Sequence, residues 1–250
     1  MIDLNTHYAE SARRFLQTAI VIDDQAMMGS VETIVPVRLE VPTGSLFNSE
    51  PEPEPQAAIA IAVEDRAAAS SATLNAKLLS QAFLDQSMIC GLYRPDMGED
   101  RVNRASGAAD AADIVVVDWH LETGNSRPAK EIILRILKND IDAKGRLRLI
   151  AIYTSQAGRE AIATDLLAEL EQDETLRGRF ARSGSDIGNI STRIIVLNKR
   201  TTPEAADRDE VNEERLPERL IFEFAKLSEG VVPSFALSSV AAVRQGAHHV

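Results

Sequence analysis

Ile114-Val115-Val116-Val117-Asp118 is a run of four β-branched residues that stops on a carboxylate. A continuous apolar run, as opposed to an alternating one, suits a strand covered on both faces, which is the habit of parallel sheets. The pattern recurs on either side. Ala19-Ile20-Val21-Ile22 stops on Asp23-Asp24, Leu147 to Tyr153 on Thr154-Ser155, and Ile194 to Leu197 on Asn198-Lys199. Met88 to Leu92 is a fifth, less apolar strand candidate. Helical spacing fills the intervals: Leu74, Leu78, Leu79, Ala82 and Phe83; Ile132, Ile133, Ile136 and Leu137 behind Pro128; Leu166, Leu167 and Leu170; and Leu216 to Leu227 at the end. Five strands alternating with helices predict an α/β fold, a doubly wound five-stranded parallel sheet. Glu99 to Ala112 reads as one more helix, interrupted at Ser106-Gly107.

Two stretches break this rhythm. Residues 25–72 form a long insertion after the first strand and contain Glu50-Pro-Glu-Pro-Glu-Pro55, whose alternate prolines forbid helix and favour an extended chain. Its flanks, Glu32 to Val41 and Ala57 to Val63, have strand-like composition and are expected to pair as a hairpin. Thr201 to Glu214 is acidic, lacks apolar periodicity and reads as a loop. The expected organisation is a helical extension over 1–17 and the α/β domain over 18–230. Over 231–250 a helix begins that leads toward an output domain further on.

Composition narrows the function. The chain has 250 residues and a net charge of −11, which argues against direct nucleic-acid binding, a process driven by clustered Lys and Arg. No stretch approaches the roughly 18 apolar residues of a spanning helix, so no membrane partner is expected. The single cysteine, Cys90, suits a reducing cytoplasm and reads as a small packing residue. The histidines His7, His120, His248 and His249 give no zinc spacing, and there is no GxxxxGK[ST], GxGxxG or GxSxG.

What remains is the polar residue at the end of each strand. Ligands of an open α/β sheet bind outside the carboxyl ends of its strands. Asp23, Asp24 and Asp118 would converge there, and a cluster of carboxylates calls for a cation. Mg²⁺ fits, because it takes oxygen ligands and needs only one or two carboxylates beside a phosphate. Thr154 supplies a hydroxyl and Lys199 a positive charge, the two groups that hold a phosphoryl oxygen. Taken singly, each of these is as well explained as a helix cap, a turn residue or a solvated charge. Acid pair, single Asp, hydroxyl and Lys, each directly after its own strand, form an ordered set that such readings do not explain.

That set resembles the response-regulator receiver family, which has a flavodoxin-like fold. The resemblance implies that Asp118 is the phosphoacceptor. It implies that Asp23, Asp24 and Asp118 hold Mg²⁺ with the backbone carbonyl of His120, and that Thr154 and Lys199 bind the phosphoryl group and switch with it. It further implies a histidine kinase as partner, and an output through a C-terminal effector domain or a homodimer, or else a phosphate sink with no output. On this reading the chain is a signalling domain and not an enzyme. Divergent, insertion-bearing receivers of this kind resemble those of bacterial effector proteins, antiphage systems among them. The sequence departs from the pattern in spacing: Asp118 lies 94 residues beyond Asp24 (118 − 24), and Lys199 lies 45 beyond Thr154 (199 − 154). Leu197 stands where many receivers carry an aromatic switch residue, and Arg200 where proline is common. Two other readings stay open: a receiver-fold scaffold that is never phosphorylated, and a Mg²⁺-dependent phosphohydrolase with Asp118 as nucleophile.

Overall fold

The computed structural model describes residues 4–26, 74–95, 98, 100–143, 146–199 and 210–246. The expected hairpin in the insertion and the Glu-Pro repeat lie outside the described residues. The apolar runs become strands β1 (Thr18–Ile22), β2 (Ile89–Tyr93), β3 (Ile114–Val117) and β4 (Arg148–Thr154). A short hairpin, β5 (Ala181–Ser183) and β6 (Asp186–Gly188), precedes β7 (Thr192–Lys199), and β8 (Glu210–Val211) follows it. The helices are α1 (Leu4–Phe15), α2 (Ala76–Asp85), α3 (Arg101–Asp110), α4 (Arg127–Asp142), α5 (Arg159–Gln172), α6 (Leu216–Ala225) and α7 (Val231–Gly246), with a 3₁₀ turn at Lys226–Ser228.

The strand order is β2-β1-β3-β4-β7-β6-β5, with β8 beside β7. The pairs β2-β1, β1-β3, β3-β4 and β4-β7 are parallel, which gives the doubly wound, flavodoxin-like sheet. Because side chains alternate along a strand, each run of consecutive β-branched residues feeds two cores at once. Ile20, Val115, Ile150 and Ile194 pack on one face against α4 and α5, where Ile132 and Leu166 lie. Val21, Val116, Ala151 and Ile195 pack on the other, against Leu79 of α2 and Phe224 of α6. This two-sided cover is why the strands read as continuous apolar runs.

The local signals act as their chemistry dictates. Asn75 caps α2 by accepting from the Leu78 N–H at 3.0 Å, and Pro128 stands in the first turn of α4. Arg148, fully buried at the start of β4, makes a two-pronged pair with Asp140 of α4 at 2.8 and 2.6 Å. It also donates to the carbonyls of Ala109 and Ala112, which ties the end of α3 to the sheet. The helix α7 lies along α1, with Leu237 and Ala241 buried and Arg244 paired to Asp113 at 3.2 Å.

Two features differ from expectation. The sheet does not stop at five strands: β6 and β5 extend it antiparallel beyond β7. The stretch 201–214, read as a loop, contributes β8, which pairs in parallel with the end of β7. Both are short and mostly polar, so neither carries an apolar run to announce it.

Candidate functional site

The register of the central strands assembles the site. In the β1-β3 pair Ile22 lies opposite Val117, so the next residues, Asp23 and Asp118, leave the sheet side by side. The Asp118 N–H donates to the Ile22 carbonyl at 2.9 Å, and the Asp23 N–H to the Tyr93 carbonyl at 3.1 Å. These bonds fix both backbones just past their strands. Between β4 and β7 Thr154 lies opposite Asn198, which brings Lys199 to the same rim.

Lys199 is the centre of the arrangement. Its ammonium donates to Asp23 Oδ2 at 2.8 Å and to Asp118 Oδ2 at 2.6 Å, and all three side chains are buried. The remaining oxygens are held by backbone: Asp23 Oδ1 accepts from the Gln25 N–H at 2.7 Å, and Asp118 Oδ1 from the His120 N–H at 3.3 Å. Asp24 is half-buried, and its Oδ1 is buried with no hydrogen-bond partner. Ligand oxygens of Asp23, Asp24 and Asp118 lie within 4.8 Å of one another. Thr154, buried at the end of β4, accepts from the Gln156 N–H at 3.2 Å.

The electrostatics carry the mark of excess negative charge. Burial pushes the Asp23 carboxyl above its ordinary value and outweighs the pull of Lys199, with Asp118 adding to the rise. Asp24 is raised by burial and then by the charges of Asp23 and Asp118. For Lys199 burial works downward, but Asp23 and Asp118 more than offset it and hold the ammonium above its ordinary value. Three carboxylates against one ammonium leave two negative charges, which a divalent cation would neutralise (3 − 1 = 2). An orphaned carboxylate oxygen and three carboxylates held against their own repulsion are what the donor set of a hard, oxygen-seeking cation looks like. The residues present therefore fit Mg²⁺.

Asp23, Asp24, Asp118, Thr154 and Lys199, singled out from the sequence, all stand at this rim, while Arg200 lies outside the described residues. His120 contributes its backbone N–H there, and its imidazole is half-buried. Leu197 needs a correction. Strand alternation turns it to the α2–α6 face, and the β7 residue on the Thr154 side is its immediate predecessor, Val196. The place is aliphatic either way, so no aromatic ring stands on β7 beside Thr154. Cys90 is partly buried and its thiol is pushed up to about 12 by burial, in keeping with a packing role.

Sequence reasoning missed Tyr153. It precedes Thr154 and so points to the opposite face, where its ring centroid lies 5.8 Å from the Lys199 ammonium. Its hydroxyl donates to the Val211 carbonyl of β8 at 2.7 Å. Burial, with the charges of Glu213, Asp23 and Asp118, drives the phenol far above its ordinary value, so it remains a donor. In the sequence it is one more apolar residue of the LRLIAIY run.

A doubly wound sheet that carries three acids, a hydroxyl and a lysine on its C-terminal rim defines the receiver class of signalling domain. The chain belongs to the response receiver domain family, whose model matches residues 15–204. Among curated proteins and solved structures nothing matches it. Membership makes it a signalling domain of the phosphoacceptor kind. No helix among the described residues is long and apolar enough to cross a membrane.

Proposed function

We propose that this domain takes a phosphoryl group from a histidine kinase onto Asp118, with Mg²⁺ held by Asp23, Asp24 and Asp118, and passes the change of charge to an output. The observation that carries the reading is the shared Lys199 clamp on Asp23 and Asp118 beside the orphaned Asp24 oxygen. Mg²⁺, when bound, would neutralise charge on the transferring oxygens. Asp118 Oδ attacks phosphorus in line, the P–N bond to the donor histidine breaks, and the departing imidazole keeps the bonding pair and takes up a proton. Lys199 would neutralise the phosphoryl oxygens, and Thr154, whose Oγ accepts from the Gln156 N–H, would donate its hydroxyl proton to one of them. The carbonyl of His120 would complete the metal's ligands.

Trp119, adjacent to Asp118, is buried and has the Lys130 ammonium 5.7 Å from its ring, so it reports on the site. Beryllofluoride mimics the phosphoryl group. With Mg²⁺ present it is expected to change Trp119 fluorescence in the parent chain and to leave Asp118→Asn unchanged. No response in the parent would favour the unphosphorylated scaffold. Steady turnover of a phosphate ester, in place of a single adduct per chain, would favour the phosphohydrolase.

A further inference from the structure

Lys199 is the last residue of β7 and is held from three directions. Asp23 and Asp118 take its ammonium, and its backbone pairs with Val211 of β8. The third support is Tyr153, 1% exposed, whose ring stands 5.8 Å from the ammonium and whose hydroxyl reaches past β7 to the Val211 carbonyl at 2.7 Å. A strand of two residues makes few ladder bonds of its own, so β8 depends on added ties to stay against β7. The Tyr153 hydroxyl is such a tie, and a buried phenol without a partner would be costly. The aromatic face attracts a cation, and most strongly where water is excluded. One side chain thus supports the lysine and fastens the strand that flanks it.

We propose that Tyr153 is a positioning residue for Lys199: its ring supports the ammonium at the Asp23–Asp118 bridge, and its hydroxyl secures β8 against the lysine backbone. This rests on the phosphoacceptor reading of the same site. The contacts of Tyr153 near the site run to the Lys199 ammonium and the Val211 carbonyl, with no hydrogen bond to the acid cluster. It acts through Lys199, and its loss should slow phosphoryl transfer without weakening metal binding.

The test uses the whole chain with Tyr153→Leu, which removes ring and hydroxyl, and Tyr153→Phe, which removes the hydroxyl alone. Mg²⁺ affinity is followed by Trp119 fluorescence and labelling by acetyl phosphate through intact mass. Tyr153→Leu is expected to label about tenfold more slowly with unchanged Mg²⁺ affinity. Tyr153→Phe is expected to recover most of the rate while amide exchange across Glu210 to Leu216 rises about fivefold. Labelling of Tyr153→Leu at the parent rate would overturn the proposal. So would a loss of Mg²⁺ affinity in step with the rate, which marks general collapse of the site. If the parent itself takes no label, the phosphoacceptor reading fails, and exchange at Asn198 and Lys199 then decides: no acceleration in Tyr153→Leu removes the positioning role as well.

Discussion

At the scale of single residues, the behaviour of the site turns on Lys199. Its ammonium neutralises one of three carboxylate charges and competes with any cation for Asp23 and Asp118. Removing it separates metal binding from chemistry. Lys199→Met is expected to bind Mg²⁺ at least as tightly as the parent, because a competing positive charge has gone. It should lose phosphoryl transfer by roughly a hundredfold, the scale of one lost electrostatic contact in a transition state. Mg²⁺ titration and labelling with a small phosphodonor measure the two effects separately. Weaker Mg²⁺ binding together with unchanged labelling would reverse both assignments. Five side chains of this site, Asp23, Asp24, Asp118, Thr154 and Lys199, were legible in the sequence because each lies within two residues of the end of an apolar run that could be recognised alone. Tyr153 was not, because its role depends on which face of β4 it leaves from and on a strand the sequence did not announce.

At the scale of elements, the region around β7 is held by charge as well as by packing. Glu223 of α6 is 2% exposed and pairs with Lys226 at 2.8 Å, Arg193 of β7 at 2.9 Å and Arg219 at 3.0 Å. Arg193 also reaches Asp186 on β6, so the hairpin is tied into the same network. Burial works to raise the Glu223 carboxyl, but Lys226, Arg219 and Arg193 outweigh it and hold it below its ordinary value. A depressed folded-state value means that the stabilisation is present above the unfolded value, near 4.5, and is lost as pH falls through the folded one. Glu223→Gln is therefore expected to cost about 3 kcal/mol at neutral pH, the scale of breaking a buried ion pair. The gap to the parent should close in acid. Urea unfolding of both chains at neutral and acid pH checks this; a gap that persists or widens in acid would contradict the sign. The hairpin and β8 also show where sequence reasoning stops. Ala181-Arg182-Ser183 is exposed throughout, and Glu210-Val211 is two residues long, so their pairing is set by a neighbouring edge and not by their own pattern.

At the scale of the whole molecule, the parallel sheet was legible because such sheets impose two-sided burial, and two-sided burial leaves β-branched runs that no amphipathic helix would show. The placement of the end helices was not legible in this way. Asp113 precedes β3 and is buried at 4% exposure, where it accepts from the Gln17 N–H at 2.9 Å and the Thr18 N–H at 3.3 Å. Arg244 of α7 closes on the same carboxylate and stacks 4.3 Å above the ring of Phe15. This clasp stands at the opposite end of the strands from the acid cluster. Arg244→Ala should therefore loosen α7, raising amide exchange through Val231–Gly246 by about an order of magnitude. Mg²⁺ affinity should stay unchanged. A parallel loss of Mg²⁺ affinity would show that the two ends of the sheet are coupled.

The central claim is that Asp118 accepts a phosphoryl group, and the most direct measurement is the intact mass of the purified chain after incubation with acetyl phosphate and Mg²⁺. One alkali-labile acyl phosphate per chain is predicted, prevented by prior chelation of the metal and absent from Asp118→Asn. An adduct that persists in Asp118→Asn, or that forms equally well after chelation, would contradict the account.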